Sequence, residues 1–319
     1  MKKIYSNINL LKKNTLIKVI KLLKKKQIVA LPTETVYGLA GNAYSESAVK
    51  KIFKLKKRPK KNPLIIHYSN LKNARKDVCF NGNFLKLYRK FCPGPITFVL
   101  KKKRRSKINN YATSNLKTVA IRFPKNSRIR KILKKLNFPL AMPSANKSKG
   151  ISPISPEDVY DEFKNKIKII VDGGKCRIGL ESTVVDLSDK IKILRPGYIS
   201  SNDIKKTLKR KVDLNKNQKK IISPGMMKLH YSPGIPVILN QKKAGKNVAF
   251  ITFGKKYSNS INNFNLSKKS NLDEAARNLY KVLREIKSMK FKKIHVVKIP
   301  NIGIGAAIND RLKHAAYKK

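Results

Sequence analysis

Short apolar segments of strand length recur through the first two thirds of the chain, and segments with a helical spacing of apolar residues separate some of them. Residues 15–26 and 45–57 place their apolar side chains on one helical face, and further helices are expected at 84–92, 127–136 and 156–163. Strands adjacent in sequence therefore mix with strands divided by a helix. This order predicts an α/β domain with a mixed, twisted sheet over residues 1–205. Its strands are expected at 28–32, 63–68, 96–100, 118–123, 140–143, 168–172, 182–187 and 191–194.

The chain changes character over residues 206–235, where a basic polar stretch leads into two Ser-Pro-Gly units. We predict a linker here, and its apolar core at 226–231 suggests a lid over the first domain rather than a passive spacer. Residues 236–319 then alternate strands and helices, which predicts a small Rossmann-like α/β domain. Its strands are expected at 236–240, 247–253 and 293–299, and its helices at 272–288 and 306–316.

Basic residues outnumber acidic ones by 75 to 17, which gives a net charge of +58. Such a charge attracts polyanions such as tRNA, but lysines are spread over the whole chain and do not form a patch, so a compositional bias explains most of them. A plain RNA-binding protein without ATP turnover remains an alternative. Three scattered cysteines give no disulfide or zinc pattern. With no apolar run of membrane length and no signal-peptide pattern, we expect a cytoplasmic protein.

Four groups of polar residues follow predicted strands or helices and are candidates for a binding site. They are residues 33–38, residues 56–59 with Asn62 and His67, residues 143–146 with Ser152, and residues 179–183 with residues 195–197. Hydroxyl, amide and guanidinium groups of this kind bind phosphate, ribose or a small polar ligand. Each group alone is weak, because residues 33–38 also fit an ordinary turn and a K-x-R has little meaning in so basic a chain. His67 also fits a packed strand residue.

The order of these motifs is more specific than any one of them. PTETVYGLA, KKRPKKNPL, PGPITFVL, TVAIRFP, MPSANKSKGISP, ESTVVD and ILRPG follow one another between about residues 15 and 200, and this series resembles the YrdC-like family. The remainder, from SPGMMKLHYSP to IGAAINDRLKHAA, resembles the extra domain of the long-form threonylcarbamoyl-AMP synthases. The resemblance implies a YrdC-like catalytic domain and a Rossmann-like second domain. It also implies synthesis of threonylcarbamoyl-AMP and pyrophosphate from L-threonine, bicarbonate or CO₂, and ATP, for threonylcarbamoyladenosine in tRNA.

Position by position, the resemblance also implies which residues form the site. The catalytic group is Lys56, Arg58, Ser144 and Asn146. Contacts to ATP come from Arg58, Ser144, Asn62, Thr118, Ser152, Arg195 and Tyr231. Contacts to L-threonine come from Thr35, His67, Arg122, Met142 and Ser182. Two positions depart from the family pattern, since relatives often carry alanine at Met142 and a small residue at Lys57.

The implied reaction needs charge neutralisation and positioning more than a protein nucleophile. Lys56, Arg58 and Arg195 would neutralise the phosphates, and Arg122 would pair with the carboxylate of threonine. Magnesium is expected with ATP, although the sequence offers no carboxylate cluster to hold it. The expected partners downstream are the proteins that transfer threonylcarbamoyl to tRNA, with tRNA itself as a candidate. A carbamoyltransferase-type YrdC module is a further alternative, but the acylphosphatase and zinc-finger segments that accompany such modules are absent from the sequence.

Overall fold

The computed structural model describes residues 5–214, 223, 226–227, 229–257 and 261–316. Within these residues, eleven strands form one large sheet with the order β1-β8-β2-β3-β7-β4-β6-β5-β9-β10-β11. The strands are β1 (Ile8–Leu10), β2 (Val29–Leu31), β3 (Gly38–Asn42), β4 (Ile65–His67), β5 (Ile96–Lys101), β6 (Thr118–Arg122), β7 (Leu140–Ala141), β8 (Ile170–Asp172), β9 (Thr183–Asp186), β10 (Lys192–Arg195) and β11 (Asp213–Leu214).

The sheet is mixed, as the sequence predicts. Strands joined directly, such as β2 with β3 and β9 with β10, pair antiparallel. Strands separated by longer connections, such as β4 with β6 and β5 with β9, pair parallel. The three strands that sequence analysis did not predict as separate elements are β1, β3 and β11. β1 and β11 lie at the two edges of the sheet, and β3 forms from the residues that follow the TETVY turn.

Helices cover both faces of this sheet. They are α1 (Lys13–Lys24), α2 (Glu46–Lys56), α3 (Leu71–Ala74), α4 (Gly82–Phe91), α5 (Ser127–Lys134), α6 (Pro156–Phe163), followed by a short 3₁₀ turn, and α7 (Ser201–Leu208). α2, α4 and α7 share one apolar cluster with Ile66 and Phe98 of the sheet, whereas α1 and α5 share another with Val29 and Leu31. Their amphipathic spacing positions these helices, because burying the apolar face is favourable.

A second sheet of four parallel strands follows among the described residues, in the order β12-β15-β13-β14. Its elements are β12 (Val237–Ile238), β13 (Val248–Thr252), β14 (Asn263–Asn265), α8 (Leu272–Ser288), β15 (Lys293–Val296) and α9 (Gly305–Ala316). Parallel strands with intervening helices confirm the α/β, Rossmann-like character of this part of the chain. None of the described helices is long and apolar enough to cross a membrane.

The two sheets are joined by a continuous apolar cluster. It contains Val159 and Phe163 of α6 together with Leu279 and Leu283 of α8 and Ile308 of α9. The predicted boundary at residue 205 falls within α7, and β11 still pairs with β10 of the first sheet. Within the predicted linker, residues 215–222, 224–225 and 228 lie outside the described residues.

Candidate active site

A cavity that is partly open to solvent, with about 520 Å³ of space including that opening, lies on the face of the first sheet opposite helices α2, α4 and α7. Because side chains alternate along a strand, Ile65 and Ala120 face the cavity side while Ile66 and Ile121 join the helices. The lining residues are Thr33, Val36, Tyr37, Gly38, Arg58, Ile65, His67, Arg122, Met142, Pro143, Ser144, Glu181, Ser182, Arg195, His230 and Tyr231.

Lys56, the last residue of α2, is buried behind the cavity wall. Its ammonium donates hydrogen bonds to the carbonyl oxygens of Ser144 and Asn146, and the Asn146 side-chain oxygen lies 3.5 Å from Nζ. An ammonium has three N–H donors, so the 144–146 loop provides an acceptor for each. Burial and the nearby Arg58 guanidinium lower the pKa of Lys56 well below its ordinary value. These contacts make Lys56 a tie between α2 and the loop that carries Ser144.

Arg58 lies on the cavity wall because Lys57 ends α2 in the left-handed conformation, with φ of 50°. Its Nε donates to the carbonyl of Asn62 at 2.9 Å, and its Nη2 donates to Asn62 Oδ1 at 2.6 Å and to the carbonyl of Pro63 at 2.7 Å. Burial and the Arg195 guanidinium lower the pKa of Arg58 to about 9. Arg58 is therefore cationic at neutral pH and held in one plane, as bidentate recognition of an anion requires.

Ser144 and Asn146 form a small closed turn after β7. Ser144 Oγ donates to Asn146 Oδ1 at 2.6 Å, and Asn146 Nδ2 donates to the carbonyls of Lys147 at 2.7 Å and Gly150 at 2.8 Å. Ser144 lines the cavity, whereas Asn146 is buried behind it. The asparagine thus fixes the loop, and the serine hydroxyl is presented to the cavity.

Arg195, the last residue of β10, contributes a second guanidinium. Its Nε and Nη2 donate to the carbonyl of Ser182 at 3.1 and 3.0 Å, and Nη2 also reaches Ser182 Oγ at 3.2 Å. Ser182 Oγ lies 2.7 Å from Thr97 Oγ1. Ser182, directly before β9, and Arg195, at the end of β10, therefore place one hydroxyl and one cation side by side on the cavity wall.

Arg122, the last residue of β6, forms a buried ion pair with Glu34. The distance from Nη2 to Oε1 is 2.6 Å, and the side chains are only 5% and 8% exposed. The other Glu34 oxygen accepts hydrogen bonds from the backbone N–H groups of Lys125 at 3.0 Å and Asn126 at 3.2 Å. Burial alone would raise the pKa of Glu34, but Arg122 outweighs it and the pKa is lowered. Glu34 therefore fixes Arg122 at its end of the cavity.

His67, the last residue of β4, lies beside Arg122. Burial and the Arg122 charge lower the pKa of His67 to about 3, so its ring is neutral at physiological pH. Nδ1 lies 3.2 Å from the carbonyl of Ile65 and acts as the donor if it carries the ring proton. That tautomer leaves Nε2 as an acceptor.

Thr33 and Met142 line the cavity, and Thr35 lies behind Thr33. Thr35 Oγ1 is 2.7 Å from Thr33 Oγ1, and Thr33 accepts from the N–H groups of Thr35 and Val36, which builds the turn after β2. Met142 lines the cavity and its N–H donates to the carbonyl of Ile65 at 2.9 Å. A Cβ at Gly38 would lie 2.5 Å from Met142 Cγ, so this close approach requires glycine.

Residues of the predicted linker cover the cavity. His230 and Tyr231 line it, with ring centroids 3.9 Å apart, and Tyr231 is fully buried. Met226 packs against the apolar residues on the same face of the sheet. The Ser232 N–H donates to the carbonyl of Lys149 at 2.9 Å. Tyr231, placed with ATP by sequence resemblance, is thus brought to the cavity from outside the first sheet.

Several buried polar atoms at this cavity have no hydrogen-bond partner among the described residues. They are His67 Nε2, Arg122 Nε, His230 Nδ1 and the Tyr231 hydroxyl. Buried polar atoms are nearly always hydrogen-bonded in folded proteins, and an orphan costs about 1–3 kcal/mol. Their concentration around one cavity indicates that it binds a polar ligand.

Most of the predicted site residues meet in one place. The cavity wall itself includes Arg58, His67, Arg122, Met142, Ser144, Ser182, Arg195 and Tyr231. Thr35, Lys56, Asn62, Asn146 and Ser152 lie behind the wall and bond to its residues or to one another. Thr118 begins β6 and is partly exposed, on the same sheet face as Arg122 but beyond the wall.

Four functional residues have no individual role in the sequence motifs: Glu34, Glu181, His230 and Arg311. Glu34 and Glu181 carried a signal nonetheless, because only 17 of 319 residues are acidic and both lie inside motifs. A carboxylate at such a position in so basic a chain indicates a specific partner. Arg311 carried no local signal, since it lies 130 residues from Glu181, with which it pairs.

Two family models match the chain. One, described as "Telomere recombination", matches residues 21–197, and the other, described as "Threonylcarbamoyl-AMP synthase, C-terminal domain", matches residues 199–317. A threonylcarbamoyl-AMP synthase of Pyrococcus abyssi is 35% identical over 92% of this chain and 92% of its own length. That of Bacillus subtilis is 35% identical over 92% of this chain and 91% of its own length.

The chain belongs to the threonylcarbamoyl-AMP synthase family. A solved structure of P. abyssi Sua5 complexed with L-threonine is 32% identical, with a TM-score of 0.88 over 97% of this chain and 96% of that one. The match of threonylcarbamoyl-AMP synthases over both sheets confirms the family, the fold class and the enzyme class that the ordered motifs predict. It also decides against an RNA-binding protein without ATP turnover and against a carbamoyltransferase-type module.

Proposed function

We propose that this chain joins L-threonine, bicarbonate and ATP into threonylcarbamoyl-AMP and pyrophosphate at the cavity described above. The observation that carries the proposal is the set of unpartnered polar atoms around a cavity whose wall includes three arginines. An elongated anionic ligand with many polar groups would neutralise the arginines and supply hydrogen-bond partners for the unpartnered atoms of such a cavity. The product then serves the proteins that transfer threonylcarbamoyl to tRNA.

The cations divide the cavity into two ends. Arg58, Ser144, Arg195 and Tyr231 all line the cavity, with the two arginines close enough to influence each other, and we assign this end to the phosphates of ATP. Asn62, Asn146 and Ser152 support it from behind, and Thr118 extends it along β6. Arg122 and His67 mark the other end, which we assign to L-threonine.

At the threonine end, Arg122 pairs with the carboxylate of the amino acid. His67, whose ring is neutral, accepts a hydrogen bond at Nε2 without repelling the amine. Ser182 contacts the rest of the amino acid, Thr35 supports this part of the wall through its hydrogen bond with Thr33, and Met142 closes this part of the cavity.

The chemistry proceeds without a protein nucleophile. The amine of threonine and bicarbonate form a carbamate with loss of water, and a carbamate oxygen then attacks the α-phosphorus of ATP as pyrophosphate leaves. Arg58 and Arg195 stabilise the charge that develops on the phosphates, and they are already fixed by Asn62, Pro63 and Ser182 before the reaction. Lys56 acts on this reaction by holding the Ser144 loop rather than by touching phosphate.

Magnesium enters with ATP as part of the substrate. Glu34 and Glu181, the carboxylates near the cavity, are both engaged by arginines, and no group of three or more His, Cys, Asp or Glu side chains is present among the described residues. The donor set therefore does not fit a resident metal, and no step is assigned to one.

Met226, His230 and Tyr231 act as part of a cover over the bound nucleotide. Threonylcarbamoyl-AMP is labile in water, so excluding solvent protects the product. Tyr231 and His230 already lie in the cavity, and Met226 packs on the sheet beside it.

Incubation of the pure protein with ATP, labelled bicarbonate and L-threonine tests the proposal. We expect threonylcarbamoyl-AMP and pyrophosphate only when all three are present with magnesium. ATP left intact in the complete mixture would overturn the proposed activity. Equal turnover with L-serine would overturn the assignment of the amino acid alone.

A further inference from the structure

Arg311 of α9 is fully buried and reaches from the second sheet to the first. Its Nε donates to Glu181 Oε2 at 2.8 Å, and its Nη2 donates to the carbonyl of Pro196 at 3.0 Å. The guanidinium carbon lies 5.1 Å from the centre of the Tyr231 ring. One side chain of the second domain thus contacts three segments that border the cavity.

The contact between Arg311 and Glu181 matters for the site because Glu181 lines the cavity. Besides Arg311, Glu181 accepts hydrogen bonds from Ser152 Oγ and from the Tyr280 hydroxyl, the latter at 2.8 Å. Burial would raise the pKa of Glu181, but Arg311 and Arg195 outweigh burial and lower it to about 2. Glu181 is therefore a full negative charge at neutral pH, in a cavity whose proposed ligand is a polyanion.

We infer that Arg311 is a positioning residue for the ATP end of the site: it compensates Glu181 and fixes the turn after Arg195 and the ring of Tyr231. The inference rests on the proposed function. Without Arg311, the Glu181 carboxylate would lack its main counter-charge and would repel the phosphates of ATP. The second domain therefore supplies part of the electrostatics of the first domain's site.

A purely structural role would make Arg311 one of several side chains that dock the two domains. Arg284 of α8 offers the matched comparison. It donates to the carbonyl of Ile151 at 2.6 Å and pairs with Asp158 at 3.7 Å, so it also bridges the two sheets, but none of these residues lines the cavity. Removing Arg284 disturbs docking alone, whereas removing Arg311 disturbs both docking and the cavity.

The experiment measures the Kd of ATP by calorimetry and the KM of ATP in turnover, for the full chain. Arg311→Met should raise both constants by roughly 10- to 100-fold, the size expected when a carboxylate near the phosphates loses its main counter-charge. Arg311→Lys, which keeps the charge but loses the forked contacts, should lie between Arg311→Met and the unchanged protein. Arg284→Met should lower the melting temperature and leave both constants unchanged.

The decisive variant combines Arg311→Met with Glu181→Gln. If repulsion by Glu181 causes the defect, the double variant should bind ATP about as well as Glu181→Gln alone. A double variant as defective as Arg311→Met would overturn the inference, and so would an Arg311→Met protein that binds ATP normally. Should Arg311→Met fail to fold, the same comparison uses Arg311→Lys with and without Glu181→Gln. Because ATP binding is measured directly, a protein that binds ATP but makes no product would overturn only the proposed function.

Discussion

Replacing Glu34 by glutamine tests how the threonine end of the cavity is built. The substitution removes the charge that faces Arg122 but keeps a side-chain oxygen for the backbone N–H groups of Lys125 and Asn126. At 2.6 Å and an effective dielectric constant of about 20, the lost attraction is about 6 kcal/mol, and the desolvation of the two charges cancels part of it. Breaking a buried pair by removing one partner costs about 3–5 kcal/mol. We expect the lower end, about 3 kcal/mol, because the backbone hydrogen bonds survive.

Thermal unfolding followed by circular dichroism measures this loss. About 3 kcal/mol corresponds to a fall in Tm of roughly 6–12 °C, by the scaling for domains of 150–250 residues. Threonine affinity, measured by calorimetry, should fall as well, because Arg122 loses the group that orients it.

Glu46→Gln is the matched control. Glu46 pairs with Lys50 at 2.5 Å, but both side chains are more than half exposed, and surface pairs contribute little to stability. Its Tm should therefore stay unchanged. Equal falls in Tm for Glu34→Gln and Glu46→Gln, or no fall for either, would refute the reasoning that burial makes the Glu34–Arg122 pair important for stability.

Four further outcomes are expected. Arg58→Lys should lose about 2–4 kcal/mol of transition-state stabilisation because lysine cannot reproduce three forked contacts, whereas exposed Lys57→Ala should keep kcat/KM; equal losses would mean that only overall charge matters. Arg122→Ala should weaken threonine binding in calorimetry while ATP binding persists. Because the pKa of Glu181 is lowered to about 2 from an ordinary 4.5, its contribution to stability is complete above about pH 4.5 and is lost as pH falls towards 2, and Tm measured down this range should fall accordingly. Tyr231→Ala should increase the release of AMP without product, and ATP with threonine should slow proteolytic cleavage within residues 226–231. If the variant is fully active and ligands do not change the cleavage rate, the segment is a spacer and not a lid.

The sequence predicts those helices and strands that are long enough for their apolar residues to recur with a regular spacing. Helices α1, α2 and α8 bury one face, and their apolar residues recur at helical spacing over ten or more positions. β1, β11 and β14 are two or three residues long, too short for an alternating pattern. They are strands because neighbouring strands offer them backbone partners, which no local pattern reports.

Asn271 and Glu274 have the spacing of a capping box at the start of α8, but the box forms only in part. Asn271 Oδ1 accepts from the Glu274 N–H at 2.9 Å, as expected for an N-cap. The Glu274 carboxylate instead accepts from Ser267 Oγ, and Ser267 Oγ accepts from the Asn271 N–H at 3.0 Å. A hydroxyl from the preceding turn was inserted into the box, and spacing alone does not reveal such an insertion.

The residues of the candidate site also fall into those that the sequence predicts and those that it does not. Sequence motifs indicated the residues on the cavity wall, because each motif ends a strand or helix at the same face of the sheet. Motifs do not predict the contacts of a side chain. The sequence predicted that Lys56 belongs to the site, but it did not predict that its ammonium bonds to two loop carbonyls. The Glu181–Arg311 pair joins residues 130 positions apart, so only the packing of α9 against the first sheet brings it together.

The apolar cluster shared by the two sheets has a consequence for synthesis on the ribosome. Residues 30–195 contain most of the cavity wall, but α6 has an apolar face that α8 and α9 cover only after about a hundred further residues have been translated. At about 5–20 residues per second, that delay is of the order of ten seconds. During it, the nascent first domain exposes apolar surface and carries Glu181 without its arginine. We expect such a chain to be a chaperone client with poor ATP binding, so that this half of the enzyme becomes competent only once α9 has been made.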